Sequence, residues 1–116
     1  MKAFELKVKD ETLLLKWDMW AMQRFCELSG LSLIGLLTLY DMNTLTLKQI
    51  MQMVQAAFES ANEGREVTER QVAAWIDEAG GIVKEGSAVL DFIKYMIKQS
   101  STDTTEVQTD EEKKSQ

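Results

Sequence analysis

FELKVKDETLLLKWD, Phe4 to Asp18, is the stretch whose reading decides the fold. Apolar and polar residues alternate through Phe4, Leu6 and Val8, and again through Leu13, Leu15 and Trp17. A period of two puts each trio on one face of a strand. Lys9-Asp10-Glu11 separates the runs, so the two strands form a hairpin whose turn type the residues leave open. A hairpin is marginal by itself. Its six apolar side chains need a surface to lie on, and the segments that follow Trp17 read as helices.

The chain has 116 residues, one domain's worth, and 45% of them are apolar. Met1-Lys2 runs straight into the alternation, so no signal peptide is expected. The longest apolar run, Leu31 to Tyr40, is broken by Ser32 and Gly35 and is short of the roughly 18 residues of a membrane span. The expectation is a soluble, cytoplasmic protein with no membrane partner. Net charge is −6, which argues against a nucleic-acid groove. Residues 100–116 hold five acids, two lysines and one apolar residue, Val107. Such a segment cannot offset its ordering entropy by burial, so a disordered acidic tail is expected there.

The helices announce themselves by their caps. Asp18 is an N-cap for a helix from Met19 to about Leu28, with Trp17 and Met22 as a staple and Gly30 as its left-handed stop. Met22, Phe25, Cys26 and Ser29 form its stripe. A short apolar helix covers about Leu33 to Asp41. Thr46 and Gln49 make a capping box for a third helix, about Leu47 to Glu63, closed by Gly64. Its stripe is Leu47, Ile50, Met51, Val54, Phe58 and Ala61. Thr68 and Gln71 repeat the signal for a fourth, about Glu69 to Ala79, with Val72, Trp75 and Ile76 inward and Gly80-Gly81 as the stop. A last helix is expected from about Ile82 to Gln99.

No motif carries chemistry. The lone Cys26 has no histidine to activate it, because the chain contains none, and the same absence removes closed zinc sites. No catalytic residue, cofactor or metal site is expected, and the chain does not read as an enzyme. Methionine does stand out. Met22 and Met51 fall on core stripes, but Met53 lies off the stripe of its helix, and Met suits surfaces that adapt to partners. In the last helix Val83, Val89, Leu90, Ile93 and Ile97 fill one broad face. Phe92, Tyr95 and Met96 widen the arc further. Either that helix is buried on two sides or it offers a partner surface. Met53, Phe92, Tyr95 and Met96 are therefore the candidate partner-binding residues.

FELKVKDETLLLKWDMWAMQRFCELSG resembles the opening of the tail assembly chaperones of long-tailed bacteriophages. In that family a short hairpin with a terminal aromatic leads into a helix matched here by Met19, Ala21, Phe25, Glu27, Leu28 and Gly30. GREVTERQVAAWIDE is similar to a later family segment through Gly64, Thr68, Val72, Trp75 and Asp77. The likeness covers roughly residues 3–79 and rests on packing and capping positions. It implies a non-catalytic chaperone that coats the apolar, helical tape measure protein and helps recruit tail tube subunits during virion assembly. It also implies a minor, longer product made by −1 slippage near the end of the frame, for which Lys113-Lys114 is the candidate position. Laid over the first helices, the hairpin leaves one outer edge free, where Lys7, Lys9 and Lys16 discourage random pairing. That edge is either part of a structural lid only or, as the resemblance implies, a place for a partner strand from another copy or the tube protein.

The expected architecture is α+β and mostly α. An N-terminal β-hairpin packs on about five helices over residues 1–99, followed by the tail at 100–116. Trp17, Asp18, Gly30, Thr46, Gly64, Thr68 and Trp75 are its structural residues. The competing reading is a small cytoplasmic helical adaptor or regulator unrelated to tail assembly. Its most specific form, a DNA-binding regulator, lacks a recognition helix: the 69–79 helix offers only Arg70 beside Glu69, Asp77 and Glu78.

Overall fold

The computed structural model describes residues 2–41, 45–82 and 86–99. The expected tail at 100–116, Val83 and Met42 lie outside the described residues. Strands β1 (Phe4–Val8) and β2 (Glu11–Leu15) pair antiparallel, with Phe4 opposite Leu15, Leu6 opposite Leu13 and Val8 opposite Glu11. The loop is the two residues Lys9-Asp10. Glu11 belongs to the strand, not the turn, and Lys9 takes a positive φ of 30°, as tight hairpin turns of primed type demand. The alternation places Leu6, Val8, Leu13 and Leu15 in the core. Trp17 lies past the end of β2 and is fully buried, with its ring edge-on to Phe25 at 6.0 Å.

Four helices follow: α1 (Met19–Ser29), α2 (Leu33–Asp41), α3 (Leu47–Ala61) and α4 (Glu69–Glu78). A fifth, α5, covers residues 88–99. The caps act as their residues suggest. The Asp18 carboxylate accepts from the Ala21 N–H, and Gly30 closes α1 at φ 79°. Thr46 and Gln49 form the full reciprocal box at α3. At α4 the Thr68 hydroxyl accepts from the Gln71 N–H. Two boundaries differ from expectation. Asn62, not Gly64, caps α3, its N–H reaching the Phe58 carbonyl, and Gly64 takes its positive φ in the loop beyond. The last helix begins at 88 rather than near Ile82. Gly86 sits at φ 82°, a conformation no helix contains, and the Ser87 hydroxyl accepts from the Val89 N–H and donates to the Gly81 carbonyl.

α3 is the centre of the domain, packed against α1, β2 and α4. Its buried residues run without a break from Gln52 to Glu59, so it has no single core stripe. Leu47, expected on that stripe, is 63% exposed. Enclosing polar side chains costs free energy unless they are hydrogen-bonded. Here they fasten the surrounding loops. Gln52 Nε2 donates to the Leu28 carbonyl at 3.0 Å, and Gln55 Nε2 donates to the Val67 carbonyl at 2.8 Å. Glu59 accepts from Arg24 Nε at 2.8 Å and from the Val67 N–H at 3.2 Å. Ala56 and Ala57, both fully buried, let β2 approach so closely that the Lys16 N–H donates to the Ala57 carbonyl at 3.0 Å.

Candidate partner-binding surface

Three of the four residues expected to meet a partner are interior. Met53, Phe92 and Met96 have no solvent exposure. Met53 is off the expected stripe of α3, but α3 is covered on several sides, so leaving one stripe does not bring a side chain to the surface. Phe92 and Met96 are buried because α5 is covered by the hairpin as well as by the core. The Phe4 ring lies 5.6 Å from Phe92 and 5.4 Å from Tyr95. The wide apolar arc of α5 reflects burial on two sides. Tyr95 is half-buried, and its hydroxyl donates to the Lys2 carbonyl at 2.7 Å, tying α5 to the start of β1. Burial pushes its phenol pKa up. Trp75 is also interior, its ring 4.8 Å from Phe58.

Exposed apolar side chains lie on several elements: Leu14 on β2, Met19 and Trp20 at the start of α1, Leu47 at the start of α3, and Ile34 and Leu37 on α2, a helix that sequence reasoning did not single out. Its sequence, LIGLLTLYD, carries no charge before its last residue, so it presents apolar groups around much of its circumference. Ser32 starts it, its hydroxyl accepting from the Gly35 N–H at 3.2 Å. Leu36 is buried and anchors the helix to the core. Ile34 and Leu37 stand in solvent at 69% and 48% exposure. Three residues apart, they are neighbours on one helix face. The hydrogen bonds of residues 34–38 of α2 are local: the Gly35 N–H to the Ser32 hydroxyl, the Leu36 N–H to the Ser32 carbonyl, and the Thr38 hydroxyl to the Ile34 carbonyl. The available signal was the helix's near-uniform apolarity, which shows that it is enclosed or sticky without saying which.

A second feature is a polar cleft of about 740 Å³ between the start of α1, the end of α3 and the loop at 63–66. Lys16, Asp18, Trp20, Arg24, Glu59 and Arg65 line it. Several of its charges are paired with one another, Lys16 with Asp18 at 3.9 Å among them. Arg24 bridges buried Glu59 and exposed Glu27, at 2.8 and 3.4 Å. Arg65 lies 5.1 Å over the Phe58 ring. At Asp18 partial burial acts to raise the pKa. Hydrogen bonds from the Ser60 hydroxyl at 2.6 Å and the Ala21 N–H, with the Lys16 charge, outweigh it and hold the carboxyl below its ordinary value. The cleft thus locks α1 to α3. Cys26 is half-buried, and burial raises its thiol pKa, which leaves little thiolate. Among the described residues no group of three or more His, Cys, Asp or Glu side chains gathers as a metal site, and no helix is long and apolar enough to cross a membrane.

The chain matches no protein-family model, no curated protein and no solved structure.

Proposed function

We propose that this chain is a tail assembly chaperone of a long-tailed bacteriophage, working in the host cytoplasm. It binds the tape measure protein, keeps it soluble, helps bring tail tube subunits to it, and performs no catalysis. The observation that carries this reading is α2, a helix without a charge from Leu33 to Tyr40 that holds Ile34 and Leu37 in solvent. A long apolar helical client offers anchors at three-four spacing that suit such a face. The net charge of −6 favours solubility of the coated client. The resemblance of residues 3–79 to that family points the same way. Tube recruitment is assigned to a longer, slipped product, and Lys113-Lys114 lies outside the described residues.

The test is co-expression with the tape measure protein encoded by the same phage. The wild-type chain is expected to bring that client into the soluble fraction. Ile34→Glu/Leu37→Glu is expected to lose most of this effect at an unchanged melting temperature, since both sites are exposed. Equal solubilisation by the two forms, or none by either, would overturn the proposal.

A further inference from the structure

The two outer edges of the hairpin are not equivalent. A two-residue loop makes Val8 and Glu11 a hydrogen-bonded pair, so Leu6–Leu13 and Phe4–Leu15 are hydrogen-bonded pairs too. The N–H and C=O groups of the intervening residues, Glu5 and Lys7 on β1 and Thr12 and Leu14 on β2, therefore point away from the hairpin. On the β2 side this is visible directly. Asn62 Nδ2 donates to the Leu14 carbonyl at 3.2 Å, and just beyond it the Lys16 N–H reaches Ala57. The end of α3 occupies that edge. On the β1 side, no hydrogen bond reaches Glu5 or Lys7 from the described residues apart from the β1–β2 pairing. α5 does not close this edge either. A groove of about 550 Å³ separates Phe4 and Glu5 from Asp91, Lys94 and Lys98.

We infer that the free edge of β1 is a homodimer surface, on which a second copy adds its own β1 antiparallel about a two-fold axis through Leu6. The charge pattern of the strand selects this occupant. With Leu6 opposite its symmetry mate, Glu5 of each copy faces Lys7 of the other in a hydrogen-bonded pair, on the exposed face of the sheet. Two opposite-charge cross-strand pairs form at once, and Phe4 faces Val8 on the inner face. Moving the register by two residues places Glu5 against Glu5, with Lys7 facing Ala3, or Lys7 against Lys7, with Glu5 facing Lys9, a turn residue at φ 30° beyond the strand; neither forms two opposite-charge pairs within β1. A slip by one turns the core face of one strand outward. The same charges that blunt an edge against foreign strands thus admit one register with a copy of themselves. The product is a four-stranded sheet with β2 at each end. Edge pairing over five residues is a small interface, so the dimer belongs to the weak, reversible class. This inference stands independently of the function proposed above.

The experiment is sedimentation velocity on the full chain over a concentration series, with thermal melts as a folding control. Glu5 and Lys7 are exposed, so their substitution leaves the monomer folded. The wild type is expected to dimerise reversibly. Glu5→Lys alone and Lys7→Glu alone each turn both attractive pairs into like-charge pairs and should weaken the dimer roughly tenfold or more. The double exchange Glu5→Lys/Lys7→Glu should restore it to within a few-fold. Raised salt should weaken the wild-type dimer. A wild type that stays monomeric at millimolar concentration overturns the inference. So does a dimer indifferent to the single exchanges, as an α2 contact would be, or one that the double exchange fails to restore.

Discussion

Replacing Trp17 by alanine tests the join between hairpin and helices. Trp17 is fully buried, follows β2 directly, and turns its ring edge towards Phe25 on α1. Removing a buried aromatic to alanine forfeits its transfer free energy and leaves a cavity, together about 3–5 kcal/mol. Aromatic pairing with Phe25 contributes at the upper end of that range. A domain of this size has a total stability of about 5–15 kcal/mol, so the loss is a large fraction of the whole. At about 4–8 °C per kcal/mol the melting temperature should fall by roughly 12–40 °C. The control is in the same segment. Trp20 is 50% exposed, and Trp20→Ala should cost less than about 1 kcal/mol. Urea titrations followed by circular dichroism measure both, with slopes compared so that a change in the denatured state is not read as lost packing. A Trp17→Ala chain within about 1 kcal/mol of the wild type would refute the hairpin's role in closing the core.

Phe92→Ala should also cost about 3–5 kcal/mol, because α5 is covered by Phe4 as well as by the core, and denaturant midpoints would show it; a near-neutral result would return Phe92 to the surface. Asp18→Ala should cost about 1–2 kcal/mol at neutral pH through the lost N-cap. Because the folded pKa of Asp18 is depressed, its contribution is present above the unfolded value and fades as pH falls through the folded one. The gap between wild type and variant should therefore close in acid, and a gap that widens there would contradict the geometry. Gly30→Ala puts a side chain at φ 79° with open space around it, so its cost of about 1–2 kcal/mol is backbone strain alone, measurable by thermal melts.

The elements were legible in the sequence where a local rule governs them. The alternation of Phe4 to Trp17, the caps Asp18, Thr46 and Thr68, and the stop at Gly30 depend on nearest neighbours along the chain. What was not legible depends on how many elements surround a helix. Periodicity assigns one face to α3, whereas the fold covers it from Gln52 to Glu59, and this buries Met53. The same blindness affected α5, where an excess of apolar residues marks a second buried side, and α2, where a similar excess marks exposure at Ile34 and Leu37. Composition cannot separate those cases, because both helices need apolar residues and only the tertiary neighbours differ. The start of α5 falls later than the expected Ile82 because Gly86 takes a positive φ, which a right-handed helix does not include.

The central proposal, that α2 holds an apolar client, is tested most directly by amide hydrogen exchange on the chain alone and on the chain copurified with the proposed client, a tape measure protein. Residues 34–38 of α2 make local hydrogen bonds and Ile34 and Leu37 stand in solvent, so in the free chain its amides should exchange faster than those of α3. In the complex the amides of α2 should slow markedly, while those of α3, already enclosed, change little. Protection that appears elsewhere with α2 unchanged, or a chain that recovers no complex at all, would contradict the account.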